Sequence, residues 1–288
     1  MYRLLFIHWN PDVVAFTLGP VEIRWYSLCW CIGLLSVYML MHHLFRQQKL
    51  SEEQFEPMFL YCFLGILIGA RLGHCLFYEP GYFLSSGTHI LEMILPMRLL
   101  PDGHWHFTGY EGLASHGGTI GLTIALWLYS RRVRLKFLHV LDNVAIVTPI
   151  CACAIRIGNL MNSEIIGRPT DLPWAFIFQR VDTIPRHPGQ LYEAICYAII
   201  FIIGWRIYKR SLNNTASSTP KVPPVGSGLY FGLCIFLIFT SRLFIEFTKA
   251  DQEVWESGML LNMGQLLSLP FIIAGAYFIW RAQKSKRT

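Results

Sequence analysis

The sequence predicts an all-α integral membrane protein with about seven transmembrane helices and two long segments lying on one side of the bilayer. Three observations carry this. The 288 residues are 53% apolar and only 15% charged, with a mean hydropathy of +0.41, whereas soluble domains carry about 25% charged residues. The apolar residues gather into runs that reach or approach the ~20 residues a helix needs to cross the hydrocarbon core. The basic residues gather into short stretches between those runs, and mostly between alternate ones.

The runs are residues 26–45, 57–77, 113–130, 137–155, 191–208, 229–247 and 259–280. They read as one polytopic membrane domain over residues 1–288, with no internal repeat. Residues 78–112 are rich in Pro, Gly and aromatics, with a marginal apolar piece at 90–100. They are expected to form a loop with a short interfacial helix. Residues 158–190 form a second long polar and aromatic segment, and 213–228 are linker-like. The short apolar stretch before Asn10-Pro11-Asp12 lacks a small-residue cleavage site and is expected along the membrane surface, with Trp9 at the interface. The eight cysteines lie in apolar runs and are expected to act as small buried hydrophobes, neither metal ligands nor disulfides.

Loops on one side hold Arg46, Lys49, Arg131, Arg132, Arg134, Lys136, Arg206, Lys209, Arg210, Lys221, Arg281, Lys284, Lys286 and Arg287. The other side holds half as many: Arg3, Arg24, Arg98, Arg168, Arg180, Arg186 and Lys249. The richer side is expected to be cytoplasmic, which puts the N-terminus and both long segments in the periplasm and the C-terminus inside. The net charge of +6 is therefore a topology signal and does not imply a nucleic-acid partner.

Against this apolar background the polar residues stand out. Arg156, Asn159, Asn162, Glu164, Gly167 and Arg168 follow one another at the end of the fourth run. If the helix continues, Arg156, Asn159 and Asn162 fall near one face. Arginine offers a planar fork suited to phosphate or carboxylate, and charge at such depth usually faces a cavity or a polar ligand. Arg71 is placed roughly 21 Å up the second run and Arg242 roughly 20 Å up the sixth, at 1.5 Å per residue. Glu246 is one turn beyond Arg242, where a buried salt bridge is the default expectation. Tyr26, His116 and Glu193 open the first, third and fifth runs. All then fall in the outer half of the membrane, as a shared cavity open to the outer leaflet would require. Ser115-His116-Gly117-Gly118 reads either as a close-packing helix entry or as a site whose backbone N–H groups approach an anion.

The stretch Arg156-x-Gly158-Asn159-x-x-Asn162-x-Glu164-x-x-Gly167 resembles the signature of the bacterial phosphatidylglycerol–prolipoprotein diacylglyceryl transferases. Leu160 stands where that family usually has Phe, and Ile155 where it usually has Gly; both are packing positions. His116-Gly117-Gly118, Arg242 with Glu246, the segment Arg186 to Glu193, Gly69-Ala70-Arg71 and Tyr26 extend the likeness from about residue 24 to 262. The resemblance implies transfer of a diacylglyceryl group from phosphatidylglycerol to the cysteine thiol of a prolipoprotein signal peptide, within the lipid bilayer and with no cofactor or metal. It implies catalytic roles for His116, Arg156, Arg242 and Glu246. It implies substrate binding by Tyr26, Arg71, Gly117, Gly118, Asn159, Asn162, Glu164 and Gly167. His116 would take the thiol proton, the arginines would hold the phosphate, and Glu164 and Glu246 would orient them. An anionic-lipid transporter and a non-catalytic assembly factor are the readings from other classes.

Overall fold

The computed structural model describes residues 6–100, 103–107, 109, 112–213, 222–250 and 261–284. The basic residues Arg3, Lys221, Lys286 and Arg287 and half of the linker-like stretch, residues 214–221, lie outside them. The chain divides into two compact units, Met1–Leu44 with Leu141–Thr288, and Phe45–Val140.

Among the described residues, six helices are long and apolar enough to cross a membrane: α1 (Trp25–Gln47), α2 (Glu52–Phe77), α6 (Phe137–Met161), α7 (Gly189–Asn213), α8 (Leu229–Ile245, continued by a 3-10 turn to Thr248) and α9 (Met263–Lys284). The expected third span is α5, Ser115–Arg132, only 18 residues long. Its Ser, His, Gly and Thr content keeps its hydropathy low. It nevertheless rises about 27 Å, and it runs antiparallel along α2. The Ala114 N–H donates to the Ala70 carbonyl at 2.9 Å, and the Tyr129 hydroxyl reaches the Gln54 carbonyl at the other end. α5 therefore covers the same depth as α2.

The α2–α5 contact is made by backbone. A Cβ on Gly69 would sit 2.4 Å from the Gly117 carbonyl oxygen, and one on Gly117 only 2.3 Å from that of Gly69. Small residues four apart on both helices let the backbones touch, as bilayer helices do when hydrophobicity cannot drive association. Apolar side chains such as Leu60, Phe63, Ile68, Ile120 and Ile124 remain exposed around this contact. The segment between the two helices is richer than expected: α3 (Pro80–Phe83), α4 (Gly87–Ile94) and a hairpin, β4 (Met97–Leu99) with β5 (Trp105–Phe107). The apolar piece at 90–100 thus splits between helix and strand.

In the other unit, β2 (Val14–Leu18) and β3 (Val21–Arg24) form a hairpin before α1. β1 (Ile7–Trp9) pairs in parallel with β6 (Phe176–Phe178), which pairs antiparallel with β7 (Pro185–Arg186). The stretch expected along the membrane surface is thus a strand, and Trp9 ends it. Its indole N–H donates to the Leu160 carbonyl at 2.9 Å, and it packs on the buried cluster Leu160, Phe176 and Phe178. Strand pairing satisfies backbone groups that a nine-residue apolar stretch could not satisfy alone. β1 and β6 must share one side of the membrane, so an even number of crossings separates them: α1, α2, α5 and α6.

All eight cysteines are free thiols, but only Cys75 and Cys234 are buried and Cys31 is exposed. A lipid-facing helix surface is as apolar as a core, so burial is not what an apolar cysteine needs here.

Candidate functional site

The Arg156 stretch does not stay helical throughout. α6 runs to Met161, five residues past Arg156, and then turns sharply, with Ser163 at φ 56° and Ile165 at φ 57°. A β-branched residue in the left-handed region is strained, and side chains on both flanks hold it there. Asn159 Nδ2 donates to Glu164 Oε2 and Asn162 Nδ2 to Glu164 Oε1, each at 3.0 Å. Gln190, fully buried, donates to the Glu164 carbonyl from the first turn of α7. The Asn162 N–H still donates to the Gly158 carbonyl at 3.1 Å, so Asn162 keeps the helical register and meets Glu164 beside Asn159.

Arg156 lies among three partners. Its Nε is 2.6 Å from Glu193 Oε2, a close ion pair but too poorly aligned to count as a hydrogen bond for that oxygen. Its Nη1 donates to Asn159 Oδ1 at 3.2 Å, and it hydrogen-bonds Tyr197, which is also within the field of Arg242. Glu193 and Tyr197 are one turn apart on α7 and so present one face to both guanidinium groups. Tyr26 packs on α6 beside them, since a Cβ on Gly158 would lie 2.9 Å from its ring.

The expected Arg242–Glu246 salt bridge is absent among the described residues. Glu246 Oε2 is instead 3.1 Å from Lys249 Nζ, which also contacts Glu193 Oε1 at 2.9 Å. α8 ends at Ile245 and continues as a 3-10 turn over Glu246–Thr248; the Glu246 N–H still donates to the Arg242 carbonyl, and it is the carboxylate that turns to Lys249. Arg242 Nε is buried with no hydrogen-bond partner among the described residues. Lys249, grouped by sequence with exposed basic residues, is 3% exposed. Neither Lys249 nor Gln190 is in the sequence-predicted set. The spacing Glu246 to Lys249, three apart at a helix end, was the available signal.

Gly167 is held in a ladder. Its N–H donates to the His187 carbonyl at 2.9 Å, the Arg168 N–H to the Thr248 carbonyl at 2.8 Å, and a Cβ on Gly167 would lie 2.5 Å from both carbonyl oxygens. Its N–H is spent on His187, so its contribution is close approach. Beside it the Tyr192 hydroxyl accepts from Trp174 Nε1 at 3.0 Å and meets His187 Nδ1 at 3.1 Å; burial pushes the His187 imidazole pKa down.

In the unit of residues 45–140, Arg71 is buried at 8% exposure. Its Nε donates to the Met93 carbonyl and its Nη2 to that of Glu92, and it stacks 4.9 Å from the Phe83 ring centroid. The guanidinium thus caps the end of α4. Glu92 accepts from the Tyr82 hydroxyl at 2.7 Å and the Leu99 N–H at 2.9 Å. Burial would raise its carboxyl, but these donors outweigh it and hold the pKa below the usual range. Gly117 is buried against α2, and Gly118 meets Ala70 at an ordinary 3.5 Å. His116, one residue earlier, is exposed, and the Gly117 contact fixes where it stands on α5.

The cluster at these helix ends thus combines strained turns with buried polar atoms that have no hydrogen-bond partner among the described residues. The Prolipoprotein diacylglyceryl transferase family profile matches residues 13–281. The chain belongs to that family. It is 53% identical over 283 residues to the Phosphatidylglycerol–prolipoprotein diacylglyceryl transferase of Bacteroides fragilis (strain ATCC 25285), covering 98% of each chain. It is 43% identical over 300 residues to the protein of that name from Porphyromonas gingivalis, covering 98% of this chain and 97% of the relative. Against the one from Tolumonas auensis it is 39% identical over 281 residues, covering 97% and 99%. Membership gives the polar cluster a family context, and the multi-pass architecture is the family's.

Proposed function

We propose that the chain transfers the diacylglyceryl group of phosphatidylglycerol to the signal-peptide cysteine thiol of prolipoproteins, the first step of lipoprotein maturation in the bacterial inner membrane. The observation that carries this reading is the buried charged cluster in which Arg156 of α6 pairs with Glu193 of α7, and Glu193 in turn with Lys249 just past α8, the helix that carries Arg242. Arg156 is pinned by Glu193, and Arg242 keeps a buried N–H uncommitted among the described residues.

The chemistry asks for this. The cysteine sulfur attacks the glycerol carbon that bears the phosphate, a C–S bond forms, and the C–O bond to phosphate breaks. Glycerol phosphate leaves as a monoester and gains negative charge as it does so. Arginine N–H groups in a low-dielectric site stabilise that charge more in the transition state than in the ground state. The thiol proton must go to a base, since cysteine is mostly protonated near neutral pH, and His116 takes that role in this reading. Glu164, held by Asn159 and Asn162, and Glu246, held by Lys249, orient neighbours. The N-terminus faces the periplasm and the C-terminus the cytoplasm, so labels placed at residues 213–218 report the cytoplasm.

The experiment is transfer from phosphatidylglycerol in vesicles to a peptide carrying the lipoprotein signal cysteine. The parent protein is expected to form the thioether without solute flux. Arg156→Lys and Arg242→Lys keep the charge but lose the fork. Each is expected to lower transfer by about 10–100-fold, equivalent to roughly 1.4–2.8 kcal/mol, with folding retained. Normal turnover in either variant overturns the reading, as does flux without transfer.

A further inference from the structure

We propose that Lys249 is a positioning residue for the transfer, which ties Glu246 to Glu193 and so keeps the Glu246 carboxylate from quenching Arg242. The inference rests on the reading that Arg156 and Arg242 take the donor's phosphate.

The geometry points to this in three ways. Lys249 is 3% exposed, and its ammonium lies 2.9 Å from Glu193 Oε1 and 3.1 Å from Glu246 Oε2. An ammonium has three donors and no acceptor, so one lysine can hold two carboxylates at once. Its backbone is also fixed: it is bridged to Gly167, its N–H donates to the Glu246 carbonyl at 3.2 Å, and its stem lies over Gly189. The ammonium cannot wander from the carboxylates.

Glu246 lies four residues after Arg242, the spacing at which a carboxylate and a guanidinium on a helix pair. It does not do so here. One oxygen faces Lys249 and the other is 3.5 Å from Asn262 Nδ2. Glu193 divides likewise, one oxygen to Arg156 and one to Lys249. Arg156, Glu193, Lys249 and Glu246 thereby form one series of alternating charge, while Arg242 keeps a buried Nε without a hydrogen-bond partner among the described residues. Without Lys249, the nearest cation by helix spacing to Glu246 is Arg242 itself.

A purely structural staple would have the same contacts, so the test reads donor affinity per folded molecule. Binding of phosphatidylglycerol in neutral-detergent mixed micelles is measured for the parent, Lys249→Met, Lys249→Arg, and Lys249→Met combined with Glu246→Gln, with Tm recorded for each. Lys249→Met is expected to weaken donor binding at least tenfold, and Lys249→Arg to stay within about threefold of the parent. The added Glu246→Gln, which removes the competing carboxylate, is expected to bring affinity back towards the parent. Unchanged affinity in folded Lys249→Met overturns the inference, and so does weakening that Glu246→Gln does not relieve. If the Met variant does not fold, Lys249→Gln replaces it, and unchanged affinity there has the same consequence. Arg156→Lys and Arg242→Lys measured alongside separate the two readings: if they bind donor normally, it is the phosphate assignment that fails.

Discussion

Two of the interfaces between membrane-crossing helices in this chain are held by opposite means. α2 and α5 meet through glycine, with Gly69 and Gly117 so close that neither has room for a methyl group. α6, α7 and the end of α8 meet through charge, in the series Arg156, Glu193, Lys249 and Glu246. The glycine contact shows that helices in an apolar solvent associate without any ion pair. Desolvating four charges is expensive, and a buried ion pair is often no more stabilising than apolar packing. The charged interface is therefore poorly explained by stability alone, and phosphate chemistry gives it a reason. Arg71 marks the boundary of the argument. It is a buried cation in the glycine unit, but backbone carbonyls at the end of α4 engage it.

The sharpest break of this comparison is steric. Gly117→Leu places a side chain where the Gly69 carbonyl stands, and no folded, membrane-inserted protein is expected. Gly118→Ala, one residue on, meets Ala70 at 3.5 Å and is expected to fold with Tm near the parent. Protease resistance and yield after membrane extraction measure both. Equal behaviour of the two would mean that the α2–α5 contact is not made by backbone.

His116 tests whether the glycine interface also serves chemistry. His116→Gln is expected to keep phosphatidylglycerol affinity while single-turnover transfer falls by about 10²–10⁴, the range of general-base effects. Lowered Tm with normal turnover per folded molecule would make His116 structural. Joint loss of affinity and turnover would make it a headgroup ligand.

A third, smaller effect lies on the charged side. Asp142 of α6 is fully buried. It accepts from the N–H groups of Gly226, Gly228 and Phe231 at 2.8, 2.9 and 2.9 Å. Its carboxylate thus caps α8 and sets the depth of Arg242. Asp142→Asn keeps the shape but weakens charge-assisted bonds, at a cost of about 1.5–3 kcal/mol. Thermal unfolding should show it, with only a modest loss of transfer in the folded fraction.

Much of this was legible in the sequence because hydropathy and basic-residue clustering follow from the bilayer itself. The α6, α7 and α8 crossings and the gathering of Arg156, Asn159 and Glu164 followed from run length and polar density. Pairings across chain distance did not follow. No local pattern says that β1 pairs with β6, since three residues carry too little period. The Lys249 to Glu193 contact spans 56 positions, and only the Glu246 half of it had a local spacing. The partner of Glu246 was misassigned because helix spacing offers it Arg242, four residues back, as readily as Lys249, three residues on.

The smallest effect asks whether the charged chain matters because it is buried. Asp182 and Arg186 form the same chemistry in a partly exposed pair, Nη2 to Oδ2 at 2.5 Å with side chains 25% and 16% exposed. Arg186 also donates to the Gly167 carbonyl at 3.3 Å. The hydrogen bonds from Arg186 hold the Asp182 carboxyl pKa below its usual range, against the smaller effect of burial. A depressed folded pKa gives stability that is complete above the unfolded value of about 3.9 and is lost as the pH falls through the folded one. Solvent screening limits such a pair to about 1 kcal/mol or less, whereas removing one partner of a buried pair costs about 3–5 kcal/mol. The Ile184 N–H, which donates to Asp182 Oδ1 at 3.0 Å, is a local probe. Its hydrogen-exchange protection, corrected for intrinsic rate, should be lower in Asp182→Asn than in the parent at pH 6. That gap should close as the pH drops below about 4. Transfer at neutral pH should change by less than about fivefold, in keeping with a term of that size. A gap that persists in acid would mean that the side-chain shape of Asp182, and not its charge, holds the turn before β7.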